Sequence, residues 1–179
     1  GCASANNITY ALQATSDIRT HMLTFLENHD EQRIASDFFA TRATRALPAL
    51  IVSATIDCQP FMLYAGEELG ERGMDKEGYS GVDGRTTIFD YWSVDTLRRR
   101  NNNGKYNNEL LTDEEASLQE FHSHLLNLCN SQPALQSGRF YDLQYANPHS
   151  AHYDSNRTYC YLRGTDKELL LIVVNFSDN

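Results

Sequence analysis

No run of apolar residues in the 179-residue chain approaches the roughly 18 that a membrane-spanning helix requires. No apolar stretch backs Gly1-Cys2-Ala3-Ser4, so the N-terminus does not read as a signal peptide and fits a cut end better. The four cysteines, Cys2, Cys58, Cys129 and Cys160, show neither a Cys-x-x-Cys pair nor a zinc-like spacing. Cys58 and Cys129 lie in apolar contexts and are expected to pack as small hydrophobes. Basic residues are scarce: 15 Lys and Arg against 24 Asp and Glu leave a formal charge of −9. That balance disfavours nucleic acid and anionic membrane surfaces as partners. The one basic cluster, Arg98-Arg99-Arg100, runs into Asn101-Asn102-Asn103-Gly104 and reads as a solvated loop. There is no internal repeat and no low-complexity segment.

What is present is patterned. Residues 1–20 are polar and weakly periodic. Residues 22–26 are apolar and end in Glu27-Asn28-His29-Asp30, which predicts a buried strand whose last residues leave the core. Ala46, Leu47, Leu50, Ile51 and Ala54 have the spacing of one buried helix face, and Pro48 must then lie in the first turn or kink the helix. Pro60-Phe61-Met62-Leu63-Tyr64-Ala65-Gly66 predicts a second buried strand, again ending in acid at Glu67-Glu68. Strand, helix and strand in this order suggest a parallel βαβ unit. Residues 69–111 form a long connection rich in Gly, Asn and charge, the kind that usually carries function. Thr112-Asp113-Glu114-Glu115 then forms a capping box, opening a helix with the stripe Leu118, Phe121, Leu125 and Leu128 that Pro133 stops. After it the pattern changes to strands at 139–144, 158–162 and 168–176, the start of an antiparallel β domain. The predicted division is 1–136 for an α/β part and 137–179 for the β domain.

Both predicted parallel strands end in carboxylates. In (β/α) barrels the active site lies at those strand ends, so Asp30, Glu67 and Glu68 would line one face. Carboxylates there suit glycoside cleavage, in which one protonates the leaving oxygen, another attacks the anomeric carbon and others grip hydroxyls. The plainer reading, acids that are solvated or cap the next helix, is equally open from spacing alone. The histidines offer less. His122 and His124 are two apart on a helix and point to different sides, and His149 and His152 lack a third ligand. Tyr91-Trp92 is the best aromatic platform for a sugar, although Trp92 packing the long loop is the simpler reading.

At Phe25-Leu26-Glu27-Asn28-His29-Asp30 the sequence resembles the fourth conserved region of the α-amylase family, glycoside hydrolase family 13, Phe-x-x-Asn-His-Asp. Residues 59–68 are similar to that family's eighth-strand motif, with Gln59 where a Gly is usual, and Asp83-Gly84-Arg85 resembles the loop that follows. Val174-Asn175-Phe176-Ser177 resembles a strand of the family's C-terminal β domain.

The resemblance implies an α/β fold: the C-terminal portion of a (β/α)8 TIM barrel, strands seven and eight with their helices, followed by the start of an all-β antiparallel domain. It implies that Asp30 stabilises the oxocarbenium-like transition state and that His29 and Asn28 bind substrate. The nucleophile and general acid of the family lie on strands four and five, whose motifs this chain does not contain. The implied partners are an α-glucan or maltooligosaccharide and the missing N-terminal part of the same polypeptide. No cofactor is implied with certainty; calcium is common in the family, but no ligand set is traceable. A hydrolase, a transglycosylase and a non-catalytic barrel relative are the competing parents; the piece by itself is expected to be inactive, with a small sugar-binding module as the alternative reading.

Overall fold

The computed structural model describes residues 3–76, 81–89 and 93–177. Tyr91 and Trp92, the suggested sugar platform, lie outside the described residues. The elements in chain order are α1 (Asn6–Ala14), β1 (Thr24–Phe25), α2 (Leu47–Thr55), β2 (Phe61–Met62), α3 (Asp95–Asn101), α4 (Asp113–Ser131), α5 (Pro133–Ser137), β3 (Arg139–Asp142), β4 (Thr158–Gly164) and β5 (Leu169–Asn175). Among the described residues, no helix is long and apolar enough to cross a membrane.

The chain divides into two compact units. One comprises Gly1–Thr24, Pro48–Phe61 and Leu126–Asn179; the other comprises Phe25–Leu47 and Met62–Leu125. This division is interleaved, whereas the sequence suggested a single boundary after residue 136.

The first unit is built on an antiparallel sheet in the order β3-β4-β5, with Tyr141 opposite Leu162 and Leu162 opposite Leu171. Side chains alternate across a strand, so Tyr159, Tyr161 and Arg163 of β4 share the covered face and all three are fully buried. On β5, Leu169, Leu171 and Val173 point outward and are exposed, while Val174 is buried. Ala5, Ile8 and Leu12 at α1 and Ile51, Val52 and Ile56 at α2 complete the core against Tyr159, Tyr161 and Val174. The buried hydroxyls are satisfied, as burial demands. Tyr159 donates to Asp142 at 3.0 Å, and the Tyr161 and Thr55 hydroxyls share a hydrogen bond at 2.5 Å. The Arg163 guanidinium donates to the carbonyls of Thr55 (2.8 Å), Gly138 (2.9 Å) and Leu135 (3.2 Å).

Several sequence expectations hold. Pro48 occupies the first turn of α2, where its missing N–H costs no helical hydrogen bond. The capping box forms: the Glu115 carboxylate accepts from the Thr112 N–H at 2.8 Å, and the Thr112 hydroxyl accepts from the Glu115 N–H at 3.3 Å. Pro133 ends α4 and opens α5 at its first position.

Others are corrected. The polar stretch before residue 20 contains α1. The strands predicted over 22–26 and 60–66 shrink to two residues each, and Met22, Leu23 and Phe25 are exposed rather than buried. Among the described residues β1 and β2 pair only with each other, so neither has a ladder on its second edge. Leu118 and Leu125 of the α4 stripe are buried, but Leu128 is exposed. Cys58 is exposed, although its sulfur lies 2.9 Å from a nitrogen of the buried Arg163 guanidinium.

Candidate active-site loop

The second unit has an unusually polar interior, and its charged side chains position the motif Asn28-His29-Asp30. Asn28 folds the loop from within. Its side-chain carbonyl accepts from the N–H of Asp30 at 2.8 Å and of Glu31 at 2.9 Å, the local bond that makes Asn a turn former. This leaves the Asp30 carboxylate 75 % exposed, 3.5 Å from Nε2 of the half-exposed His29.

The base of the loop is closed by charge. One Glu27 oxygen accepts from the Ile34 N–H at 2.7 Å, and the other pairs with the Arg33 guanidinium at 2.7 Å. Both side chains are almost wholly buried. Arg33 then reaches outward. It donates to the Ala65 carbonyl at 2.7 Å and to the Thr86 hydroxyl at 2.6 and 2.9 Å, and it lies over the Tyr64 ring at 4.2 Å. Its own N–H donates to the Gly84 carbonyl at 2.6 Å. One arginine therefore ties together the three motif segments in this unit: the Asn28-His29-Asp30 loop, the Tyr64-Ala65 stretch and the Asp83-Gly84-Arg85 loop. Arg85, paired with Asp83 at 2.8 Å, also reaches the Asp30 carbonyl at 3.5 Å.

The backbone beyond Tyr64 turns at Gly66, whose φ of +94° is one that a side chain would strain. The turn sends Glu67 and Glu68 in different directions. Glu68 folds back so that its carboxylate accepts from the Gly66 N–H at 3.0 Å. Glu67 is only 5 % exposed, and neither of its oxygens has a hydrogen-bond partner among the described residues. Burial first, and then the Glu27 charge, push its carboxyl up to about 8. Burial also pushes the Glu27 carboxyl above its ordinary range, against the pull of Arg33. The two acids read with Asp30 as one exposed set thus divide: Glu68 caps its own turn and Glu67 lies in the interior.

The remaining candidates have structural partners. His122 is buried with Nδ1 2.9 Å from the Leu118 carbonyl, His124 is exposed near Glu120, and His149 sits 3.2 Å from Asp154. Among the described residues no three His, Cys, Asp or Glu side chains come together as the ligands of a metal.

No protein-family model and no curated protein sequence matches the chain. Solved structures do. AmyP carrying E221Q, in complex with maltotriose, superposes with a TM-score of 0.63 at 18 % identity, over all of this chain and 36 % of that one. The chain has the fold of part of an α-amylase-family enzyme. The isomaltulose synthase of Erwinia rhapontici NX5 gives a TM-score of 0.59 at 19 % identity, covering 98 % of this chain and 38 % of that one. A noncanonic maltogenic α-amylase, AmyB of Thermotoga neapolitana, gives 0.56 at 17 % identity, with 97 % and 33 % covered. The chain thus spans 33–38 % of the length of these enzymes.

Sequence reasoning named Asn28, His29 and Asp30 as candidates and did not single out Arg33 and Glu27, the pair that holds their loop. The available signal was their spacing: an acid just before the loop and a base six residues later, both next to apolar residues.

Proposed function

We propose that this chain is the C-terminal portion of the catalytic (β/α)8 barrel, strands seven and eight with their helices, of an α-glucan-active retaining glycoside hydrolase. Residues 137–179 begin the β domain that follows. Asp30 is the acid that stabilises the oxocarbenium-like transition state, and His29 and Asn28 serve the same sugar-binding surface. A carboxylate acts most strongly on developing positive charge when it is held in place beforehand.

The observation that carries this reading is the Asn28-His29-Asp30 loop. It is fixed internally by Asn28 and fixed at its base by Glu27 and Arg33, yet it presents its acid to solvent. A merely structural loop has no need of such preorganisation around an exposed carboxylate. The exposed apolar side chains Met22, Leu23 and Phe25 give further support, because neighbouring barrel strands would cover them. The solved enzymes of like fold, bound to maltotriose and to maltose in AmyP, point to an α-glucan as the substrate. The nucleophile and general acid come from the rest of the polypeptide.

The test is an assay of reducing-sugar release from starch and maltooligosaccharides. The 179-residue chain by itself releases none, whereas the longer polypeptide carrying it does. Turnover by the pure chain, abolished by Asp30→Asn, would show the catalytic set to be misassigned. A longer polypeptide without acids at strands four and five would favour the non-catalytic relative. Hydrolysis and transglycosylation separate by whether water or a second sugar receives the glycosyl group.

A further inference from the structure

The arginine run at residues 98–100 divides in the structure. Arg99 is committed to the fold: its Nη1 and Nη2 each donate to the Glu115 carboxylate at 2.5 Å, and its Nε donates to Asp95 at 2.7 Å. Nη1 also reaches the Leu110 carbonyl at 3.2 Å. Arg98 and Arg100 have no ionic partner among the described residues. Nη1 of Arg100 is moreover buried with no acceptor. A dehydrated N–H of a permanent cation is costly when unpaired, and a native fold that keeps one has a reason to do so.

Arg98 and Arg100, neither ion-paired among the described residues, both line a cleft of about 610 Å³ with Leu97, Tyr106 and Leu110, and Arg100 also borders a second hollow with Asp113 and Glu120. That volume suits a small organic ligand. Tyr106 presents an exposed ring from a backbone held at φ 50°, a left-handed conformation rare outside glycine. The turn behind it is braced. The Asn101 side chain accepts from the Gly104 N–H at 2.6 Å, the Tyr106 N–H donates to the Asn101 carbonyl at 3.0 Å, and buried Asn102 donates to Asn107 at 2.9 Å. Asp95, a carboxylate on the cleft wall, is occupied by Arg99. A protein with a formal charge of −9 thus keeps one cleft with two guanidinium groups that no carboxylate neutralises among the described residues, beside the exposed side chains of Tyr106 and Leu110.

We propose that this cleft binds a small organic phosphate. Arg98 and Arg100, two apart on α3, leave the helix on different sides, so their long side chains reach the phosphate oxygens from two walls of the cleft, with planar forked donors suited to the pairing. The ring that carries the phosphate lies against Tyr106 and Leu110. The cleft contains none of Asn28, His29 and Asp30, although Ala65, whose carbonyl Arg33 holds, borders it, and the proposal does not depend on the glycosidase reading.

Calorimetric titration of the protein with glucose 6-phosphate, inorganic phosphate and glucose tests this. Glucose 6-phosphate binds, inorganic phosphate binds more weakly, and glucose does not bind over the same concentration range. Arg98→Gln and Arg100→Gln each weaken glucose 6-phosphate binding about ten- to a hundredfold, and Arg98→Lys weakens it less. Added salt weakens binding as well. Tyr106→Ala weakens glucose 6-phosphate while leaving inorganic phosphate unchanged. Neither Arg98 nor Arg100 belongs to the ion pairs that brace α3, and an unchanged circular dichroism spectrum verifies that the variants fold. Absence of binding by either phosphate, or affinity unaltered in Arg98→Gln and Arg100→Gln, overturns the site. Equal affinity for the two phosphates overturns the assignment of an organic phosphate.

Discussion

The Arg33 guanidinium pairs with the Glu27 carboxylate at 2.7 Å, and the two side chains are 1 % and 3 % exposed. Each charge needs the other, because water reaches neither. Glu27 uses its second oxygen to hold the Ile34 N–H, and Arg33 uses its remaining donors on Ala65 and Thr86. The pair is therefore a fastening, and what it fastens is the loop carrying Asp30.

Arg33→Met removes one partner and strands a buried carboxylate. Breaking a buried ion pair from one side costs about 3–5 kcal/mol. The urea midpoint should fall accordingly, and amides around residues 28–34 should lose hydrogen-exchange protection first. A loss under about 1 kcal/mol would mean that the pair holds little.

Glu67 sets a pH dependence of the opposite sign to an ordinary paired acid. Its carboxyl titrates at about 8 in the folded chain, against 4.5 as its ordinary value. Between those values the folded chain holds a proton that the unfolded chain has released. This contribution to stability is therefore fully present below about pH 4.5, declines as pH rises, and levels off above about pH 8. The span is on the order of 5 kcal/mol. Glu67→Gln should raise the melting temperature at pH 8 and flatten the curve between pH 5 and pH 8. Glu27, whose carboxyl is also raised, would supply the slope that remains. A variant with the same slope as the parent would place the titration elsewhere.

The capping box separates a local effect from a shared one. Thr112→Ala should cost about 1 kcal/mol, the usual worth of an N-cap. Glu115→Ala should cost more, because the same carboxylate also receives both arms of Arg99. Denaturation curves showing equal losses for the two variants would mean that the Arg99 contact adds nothing.

The legible parts of this fold are those with local chemistry. Strands predicted at 139–144, 158–162 and 168–176 are found as β3, β4 and β5, because the hairpin turn near Gly164 and the apolar runs beside it are local signals. The start of α4 was readable from Thr112 and Glu115, and the position of Pro48 from proline geometry. Helix α1 was not readable. Its inward side chains are Ile8 and Leu12 in an otherwise polar segment, and it holds because the β4 tyrosines supply a surface distant in sequence. The strands at 22–26 and 60–66 were overdrawn because apolar residues indicate what can be buried, not how many neighbours are there to bury it.

The candidate loop was half legible. Asn28, His29 and Asp30 stand together in the chain and could be found as a motif. Arg33 and Glu27 were not singled out, and Glu67 was read as facing outward with Asp30, because charged residues are almost never fully buried and residue type alone assigns them to the surface. Only the fold shows that these three lie in the interior, and of the three it is the Glu67 carboxylate that lacks a hydrogen-bond partner among the described residues.

The most direct test of the central claim is the steady-state kinetics of Asp30→Asn in the longer polypeptide, with a maltooligosaccharide as substrate. Its charge is matched to the transition state rather than to the neutral sugar, so kcat and kcat/KM should fall together by at least about a hundredfold while KM changes little. A raised KM with unchanged kcat would contradict the account, reducing Asp30 to a ground-state sugar contact.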